Sequence, residues 1–344
     1  MKQTVIITGA NGGLGSAMAK EFSRSKDGNL DYHCVYTVRQ EANSPNLANA
    51  LKDAKGRHTY DVASLDLSSL AAVRQFSQSI NAKIAAGELG PIRALILNAG
   101  YQEHTSQHFS DDGFAMSFQC NYLSHWLLTL TLLQNLDPDH GRVVVVGSWS
   151  HDAWDKRNDI MKAFDDPKWK MLFVDTDCVA KGTWSPPTDD GAMQAGFRRY
   201  GASKLCQIMM IYELQERLDA DSRLNKVAVV GVDPGGMATD LTRRGSWAMV
   251  FMVQWLFPII SGILTYLSPN GTLRLTSKSA RDVLRAAFDT KEFGDSPKAV
   301  YMNGSEKGST SAESKDPEKR AMLWRGSIRY VGLTGADTSL EKWN

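Results

Sequence analysis

The chain has 344 residues and 42% of them are hydrophobic, which is enough to bury a substantial core. Its 39 lysines and arginines nearly balance its 38 aspartates and glutamates. The protein therefore has no overall positive field that would attract nucleic acid or an anionic membrane surface. A charged ligand would have to be bound by local groups, and we expect no nucleic-acid partner.

The cysteines and the first residues bear on the cellular compartment. Four cysteines lie far apart without a C-x-x-C pair, which favours reduced thiols over disulfides or a zinc site. They are Cys34, Cys120, Cys178 and Cys206. The first apolar run, Val5–Ile7, is too short for the core of a secretory signal. We expect a cytoplasmic protein that begins at its first strand and binds no metal.

Short apolar runs alternate with longer segments of helical period along most of the chain. The predicted strands are Thr4–Ile7, His33–Val38, Ala94–Leu97, Val143–Val146 and Val227–Val232. The predicted helices are Leu14–Ser25, Leu70–Ala86, Gly113–Gln134, Gly201–Leu218 and Lys278–Asp289. This alternation is typical of repeated βαβ units whose parallel sheet is buried on both faces. The predicted fold class is α/β, a doubly wound parallel sheet, with residues 1–344 in a single domain.

Two segments interrupt this alternation. Residues 151–199 are polar and contain the pair Pro186-Pro187, which predicts a long irregular insertion. The second is Trp247–Leu267, a stretch of 21 residues without a charge. After it the sequence predicts a last strand at Ala299–Asn303, a polar loop at Ser305–Asp316 and a short helix at Pro317–Trp324, the last two within a C-terminal tail of residues 305–344.

A glycine-rich turn follows the first predicted strand and opens the first predicted helix. It reads Thr8-Gly9-Ala10-Asn11-Gly12-Gly13-Leu14-Gly15. Glycines suit a dinucleotide pyrophosphate because the phosphates must approach bare backbone at a helix N-terminus. A plain tight turn would use the same residues, but the placement between strand and helix favours a phosphate site. The predicted cofactor contacts here are Thr8, Gly9, Asn11, Gly13, Leu14 and Gly15.

Two charged residues are candidates for the adenosine end of the dinucleotide. Arg39 follows the second predicted strand, and no acid accompanies it in Thr37–Gln40. An arginine there can pair with the 2′-phosphate of NADP, whereas a carboxylate favours NAD. Asp66, after a third strand pattern, could accept a hydrogen bond from the adenine amino group. The alternatives are a solvated surface arginine and an ordinary acid near a helix N-cap. The sequence predicts NADP(H).

Tyr200 and Lys204 are spaced as an acid–base pair requires. Their i, i+4 spacing places a phenol and an ammonium on the same face of a helix. A free tyrosine has a pKa of about 10, and a nearby ammonium stabilises the phenolate and lowers that pKa toward the working range. An isolated pair of this kind would be an ordinary surface contact. Its surroundings in the sequence decide between the two interpretations.

Taken together and in order, the motifs resemble the short-chain dehydrogenase/reductase superfamily, which has a Rossmann-type fold. The resemblance covers about residues 3 to 305 and rests on Thr8-to-Gly15, Asn98-Ala99-Gly100, Asn121, Ser148, Tyr200-x-x-x-Lys204 and Pro234-Gly235. It implies that Tyr200 transfers the proton, that Ser148 bonds the substrate oxygen and that Lys204 binds the nicotinamide ribose. Asn121 would hold a water linked to the lysine. Asn98, Ala99, Gly100, Pro234, Gly235 and Thr239 would lie along the cofactor.

Some of these residues also have ordinary structural interpretations. Ser148 would be a turn serine, Asn121 an amide bonded inside a helix, and Thr239 a helix N-cap. Each interpretation is compatible with the functional one.

Within the superfamily, the run from Asn121 to Thr129 and the pair Leu323-Trp324 resemble the retinol dehydrogenase and protochlorophyllide reductase branch. The chain departs from simple members because Ser148 and Tyr200 are 52 positions apart. We expect the insertion near the substrate entrance, with a remote structural elaboration as the alternative. Gly12 is a second departure, since some NADP-dependent members have a basic residue at this position. The prediction of NADP rather than NAD therefore depends mainly on Arg39.

The apolar segment Trp247–Leu267 is long enough for a bilayer span and follows Arg243-Arg244. It contains Pro258 and lies inside the fold, which argues against a span. The resemblance implies a flexible lid over the substrate, within residues 241–272. An interfacial membrane contact, a subunit interface and plain core are the alternatives.

These observations predict an NADP(H)-dependent oxidoreductase that transfers a hydride between the nicotinamide and a carbonyl or alcohol. The expected partner is a small hydrophobic substrate, bulky and resembling a steroid, a retinoid or a polyketide. A membrane contact and a homodimer remain open. The alternative functions are reduction of a conjugated C=C bond and a non-redox or NADP-binding role on the same fold.

Overall fold

The computed structural model describes residues 1–24, 32–52, 54, 58–104, 106–189, 191–237 and 257–344. Within these residues eight strands form one sheet, in the order β3-β2-β1-β4-β5-β6-β7-β8. They are β1 Gln3–Ile7, β2 Tyr32–Val38, β3 Thr59–Ser64, β4 Ile92–Leu97, β5 Arg142–Val146, β6 Ala228–Asp233, β7 Val300–Asn303 and β8 Glu306–Lys307. The pairs from β3 to β7 are parallel, and β8 adds an antiparallel edge. The predicted doubly wound parallel sheet is confirmed.

The central strands are apolar because helices cover both faces of the sheet. Every residue of β4, β5 and β6 is buried. Such strands read as continuous valine-rich and leucine-rich runs rather than as alternating patterns. The helices are α1 Gly13–Arg24, α2 Pro45–Leu51, α3 Leu70–Ala85, α4 Met116–Phe118, α5 Ser124–Leu132, α6 Thr176–Ala180, α7 Ala192–Asp219, α8 Phe257–Leu267, α9 Thr276–Phe288 and α10 Pro317–Val331.

The predicted helix Gly113–Gln134 is not continuous. It begins at Met116, and a π-helical segment, Gln119–Leu123, separates α4 from α5. Such π segments often occur at functional sites, and this one contains Asn121. The periodicity of apolar residues does not reveal it, because one extra residue per turn barely changes the pattern in a helix that is buried on every side.

Helix α7 begins at Ala192, well before the predicted start at Gly201. Two glycines in this part of the sequence disfavour a helix by propensity, yet tertiary contacts require them. A Cβ on Gly201 would lie 2.6 Å from the carbonyl oxygen of Ser150, and one on Gly196 would lie 2.6 Å from that of Glu103. Close packing of the helix against two loops therefore outweighs the low helix propensity of glycine.

The described residues of the insertion, 151–189 and 191–199, have little regular secondary structure before α7 begins at Ala192, and they pack into the main apolar cluster. They contain short 3₁₀ turns, α6 and the first turns of α7. Phe164, Trp169 and Phe173 are buried. The backbone N–H groups of Leu172 and Phe173 both donate to the Glu313 carboxylate, each at 3.0 Å. The insertion thus packs against the C-terminal part of the chain.

The C-terminal region is more structured than predicted. Strand β8 lies within the expected loop Ser305–Asp316, and α10 continues to Val331, beyond the expected end at Trp324. Trp324 packs edge to face on Trp126 of α5, with ring centroids 5.0 Å apart. This contact places α10 on the same face of the sheet as α5 and α7.

The residues that flank the predicted lid, 241–272, meet beside the sheet. Gly236 and Leu273 form a parallel bridge, and the N–H of Arg274 donates to the carbonyl of Gly236. Helix α8 exposes apolar side chains to solvent. They are Ile260, Ile263, Leu264, Tyr266 and Leu267. Residues 241–256 of the predicted lid lie outside the described residues. Among those described, no helix combines the length and apolarity that crossing a bilayer needs.

Candidate active site

The glycine-rich turn connects β1 to the first turn of α1 and presents bare backbone. Gly9 has a φ of +67°, and a Cβ on Gly15 would lie 2.3 Å from the carbonyl oxygen of Gly9. The first turn of α1 contains no acidic residue. Its N–H groups and the helix dipole therefore suit an anionic pyrophosphate. Gly13 is the first residue of the helix, and Leu14 is buried beneath it.

Thr8 joins this turn to the end of β4. Its Oγ1 accepts hydrogen bonds from the backbone N–H groups of Asn98 at 2.9 Å and Ala99 at 3.0 Å. The Asn98 side chain donates in return to the carbonyl oxygen of Thr8 at 2.7 Å. Gly100 follows, and a Cβ on it would lie 3.9 Å from Oδ1 of Asn121. The structure therefore brings together the first two motifs that the sequence identified.

The side chain of Asn11 has a structural task. Its Oδ1 accepts from the backbone N–H groups of Asn46 at 3.0 Å and Leu47 at 3.1 Å, in the first turn of α2. The predicted cofactor contact of Asn11 stays a prediction, and the structure shows that its side-chain oxygen accepts from the N-terminus of α2. The sequence prediction considered only the residues next to Asn11 in the chain, and it did not include α2.

Arg39 and Asp66 lie side by side beyond the ends of β2 and β3. Their nearest charged atoms are 4.0 Å apart, and the Arg39 side chain is 53% exposed. Asp66 accepts from the N–H and the hydroxyl of Ser68. Glu41, an acid that the sequence prediction passed over, accepts the backbone N–H of Ser64 at 2.8 Å. Arg39 is thus loosely paired and accessible to an anionic ligand.

Tyr200 and Ser148 form the centre of the candidate site. Ser148 follows β5, and Tyr200 lies on α7 with only 8% of its surface exposed. Burial raises the pKa of Tyr200 well above its usual value, and a hydrogen bond with Ser148 acts in the opposite direction. The Ser148 oxygen also accepts from the N–H and the hydroxyl of Ser150, at 3.2 Å and 2.9 Å. The residue directly before the insertion therefore orients this serine.

Lys204 is enclosed one turn after Tyr200. Its Nζ donates to the carbonyl oxygen of Val146 at 2.9 Å and to Oε1 of Gln207 at 2.8 Å, and it lies 5.6 Å from the centre of the Tyr200 ring. Burial lowers the pKa of Lys204 to about 7, and the charge of Asp233 acts in the opposite direction. Two of the three ammonium N–H groups are thereby used, which leaves one for a ligand.

Gln207 is a site residue that the sequence prediction missed. Its i, i+3 spacing from Lys204 on a predicted helix was the signal that could have identified it.

Asn121 uses its whole side chain to hold two other elements. Its Oδ1 accepts from the N–H of Tyr101 at 2.7 Å, and its Nδ2 donates to the carbonyl of Tyr101 at 3.0 Å and to Oγ of Ser203 at 2.8 Å. Ser203 precedes Lys204 on α7. The π-helical segment thus connects the loop after β4 to the helix that carries Tyr200.

Asp233, Pro234 and Gly235 end β6 on the cofactor side of the sheet. Asp233 is buried and forms an ion pair of 3.0 Å with Arg157 of the insertion. Gly235 has a φ of +76°, and its N–H donates to the Asp233 carboxylate at 3.0 Å. The sequence prediction overlooked Asp233, although this acid stands directly between the predicted strand Val227–Val232 and Pro234-Gly235. Thr239 lies outside the described residues.

Known proteins resemble this chain in sequence and in fold. The short chain dehydrogenase family profile matches residues 3–153. The short-chain dehydrogenase iccH of Talaromyces variabilis is 44% identical over 99% of this chain and 98% of its own length. The chain belongs to the short-chain dehydrogenase/reductase family. The family assignment made from the sequence motifs is thus confirmed, and with it the classification as an oxidoreductase.

More distant family members cover nearly the whole chain. Retinol dehydrogenase 13 of Homo sapiens is 30% identical over 96% of this chain and 85% of its own length. Protochlorophyllide reductase B of Oryza sativa subsp. japonica is 28% identical over 98% and 79%, respectively. The sequence motifs resemble the branch of the family that is named after these two activities.

Solved structures share the fold. NADPH-bound carbonyl reductase from chicken fatty liver superimposes with a TM-score of 0.57, at 13% identity over 90% of this chain and 99% of that one. The landomycin C-6 ketoreductase LanV with bound NADP and rabelomycin gives 0.53, at 15% identity over 88% and 95%.

Proposed function

We propose that this short-chain dehydrogenase/reductase uses NADP(H) to interconvert a carbonyl and an alcohol on a bulky hydrophobic molecule. One arrangement carries the proposal. Tyr200 and Lys204 lie on the buried face of α7, and Ser148 follows the carboxyl end of β5. The three side chains come together beside a glycine turn with bare backbone. Crevices at the carboxyl ends of parallel strands are where such sheets bind ligands.

The residues on the cofactor side fit NADP(H). The turn from Gly9 to Gly15 would receive the pyrophosphate at the N-terminus of α1. Arg39, accessible and only loosely paired, would bind the 2′-phosphate by charge-assisted hydrogen bonds. The remaining N–H of Lys204 would donate to the ribose of the nicotinamide. Reductases that were solved with bound NADP or NADPH share the fold.

In the reductive direction, NADPH held by these residues would be the source of the hydride for the carbonyl carbon. Ser148 would donate a hydrogen bond to the carbonyl oxygen and hold it against the phenol. Tyr200 would give its proton to that oxygen as the negative charge develops. The ammonium of Lys204 would stabilise the phenolate that remains, and its buried position would keep that interaction strong. The alcohol leaves with one hydride and one proton added.

The substrate class is proposed from the apolar surroundings. Helix α8 lies within the segment that leaves and rejoins the fold at Gly236 and Leu273, directly after the cofactor residues, and it exposes an apolar face. The ketoreductase LanV was solved with rabelomycin and shares the fold. The same face would suit an interfacial membrane contact or a second copy of the chain, and we propose these as further partners.

The Tyr200→Phe variant tests the proposal. Removing the hydroxyl should lower the rate of NADPH oxidation with lipophilic ketones by at least about 10³-fold, since the proton donor is lost. NADPH binding, followed by its fluorescence, should stay within a few-fold of wild type. A variant that binds NADPH and still turns over near the wild-type rate would overturn the assignment.

Reduction of a conjugated C=C bond is the second candidate. The similarity to protochlorophyllide reductase B over 98% of this chain favours it. Both reactions add two hydrogens, so product mass is the same for the two. NMR of the product formed from an enone distinguishes them, because only the second candidate removes the vinyl protons.

A further inference from the structure

His125 is a buried histidine with two well-placed partners and no assigned role. It lies on α5, two residues beyond the π-helical segment, and is 0% exposed. Its Nε2 is 3.0 Å from Oγ1 of Thr8, and its Nδ1 is 2.9 Å from the carbonyl oxygen of Asn121. Both partners belong to the candidate site. Burial lowers the pKa of His125 to about 4, so the ring is neutral at ordinary pH.

The hydrogen bonds around Thr8 determine which ring nitrogen carries the proton. A hydroxyl oxygen has two lone pairs, and Oγ1 of Thr8 already accepts from the N–H groups of Asn98 and Ala99. Its own proton must then be donated, and Nε2 of His125 is nearer than the carbonyl of Ile96, which is 3.4 Å away. Nε2 is therefore an acceptor. In a neutral ring the proton is then on Nδ1, which donates to the carbonyl of Asn121.

The chain of hydrogen bonds continues to the catalytic helix. The side chain of Asn121 donates to Oγ of Ser203, and Ser203 donates to the backbone carbonyl of Tyr200 at 2.7 Å. The donors all point in one direction, from Thr8 through His125 and Asn121 to Tyr200. The turn proposed to receive the pyrophosphate is thus connected to the backbone of the proton donor through buried groups.

We infer that His125 is a positioning residue that couples the cofactor turn at Thr8 to the helix carrying Tyr200, as a neutral imidazole with its proton on Nδ1. The inference rests on the proposed function, since it takes the turn at Thr8 as the cofactor site. It also gives a task to a residue in the run from Asn121 to Thr129 that the sequence analysis connected with a branch of the family. The alternative is a buried histidine whose hydrogen bonds only stabilise the core and do not affect catalysis.

The proton position is tested without any substrate. In protein labelled with ¹⁵N-histidine, NMR should show the ring of His125 as the neutral Nδ1–H form at pH about 6 to 8. The resonance is identified by its loss in His125→Gln. Addition of NADPH should shift it, because Thr8 lies in the proposed cofactor turn. A ring with its proton on Nε2, or a charged ring, would overturn the assignment.

The coupling is tested with two variants of different chemistry. His125→Phe fills the site but cannot accept from Thr8 or donate to Asn121, so NADPH affinity and kcat with a model lipophilic ketone should each fall about tenfold or more. His125→Gln can both accept and donate, and it should restore most of each loss. If His125 only filled space, His125→Gln would not restore the NADPH affinity and kcat that His125→Phe loses.

Trp126→Phe is the matched control, because Trp126 is the next residue on α5 and is equally buried. It should lower the thermal stability while NADPH affinity and kcat stay near wild type. If His125→Phe behaves like this control, the coupling is refuted. If wild-type protein does not bind NADPH, the proposed function fails, and the NMR experiment still tests the proton position.

Discussion

Lys204 shows how burial sets the charge of a single side chain. Its ammonium is enclosed beside Tyr200, and burial lowers its pKa to about 7. In an unfolded chain a lysine has a pKa of about 10.4. Between these two values the unfolded state binds more protons than the folded state, so the free energy of unfolding rises as the pH rises. Below pH about 7 both states are protonated, and the cost of the buried charge is at its full value.

We predict that Lys204→Met raises the free energy of unfolding of the cofactor-free protein at pH about 6, and that this gain shrinks by about 3 kcal/mol at pH about 9. The variant replaces a buried ammonium by an apolar chain of similar length. Urea unfolding at the two pH values measures the difference. Lys20→Met, at an exposed position on α1, should show no such dependence. A constant effect of Lys204→Met would mean that its pKa is not lowered.

Arg39 is the residue on which the choice between NADP and NAD depends. We predict that Arg39→Ala raises the Kd for NADPH by about 10- to 100-fold, because a charge-assisted contact with the 2′-phosphate is lost. The Kd for NADH, which lacks that phosphate, should stay within about twofold. Fluorescence titrations measure both, with Lys20→Ala as the control for loss of one positive charge. Equal weakening for both cofactors would show that Arg39 does not read the phosphate.

At the scale of elements, α7 is held where its tyrosine must lie. Arg199 forms a buried ion pair of 3.0 Å with Glu103, and Arg198 donates to Oγ of Ser185 at 2.7 Å. On the next turn, Gly201 lets the helix approach the backbone of Ser150. The insertion and the loop after β4 therefore hold the helix directly before Tyr200, and the loop after β5 holds it directly after.

We predict that Gly201→Ala lowers the free energy of unfolding by about 1 to 3 kcal/mol, since its methyl group would overlap the Ser150 carbonyl. Turnover should fall as well, because Ser150 also orients Ser148. Gly262→Ala on α8 is the control. Its Cβ would meet nothing within 4 Å, so the change should be neutral or stabilising by up to about 1 kcal/mol. Urea unfolding compares them, and equal effects would contradict the close packing at Gly201.

At the scale of the whole molecule, the insertion and the C-terminal region complete one another. Glu313 accepts the N–H groups of Leu172 and Phe173 and pairs with Lys319 of α10 at 2.6 Å. Arg157 of the insertion reaches back to Asp233 at the end of β6. The prediction that the insertion borders the substrate entrance is still untested, but the Arg157 contact places part of it beside the cofactor strand.

The sequence by itself determined the fold class, most of the central strands and the family motifs. The glycine turn and the Tyr200–Lys204 pair are local patterns, because bare backbone and helical spacing depend only on nearby residues. Only the tertiary structure decided that α7 starts at Ala192, that Asn11 serves α2, and that His125 and Gln207 contact the site. Those outcomes depend on groups far apart in the chain, which meet only once the sheet has brought its strand ends together.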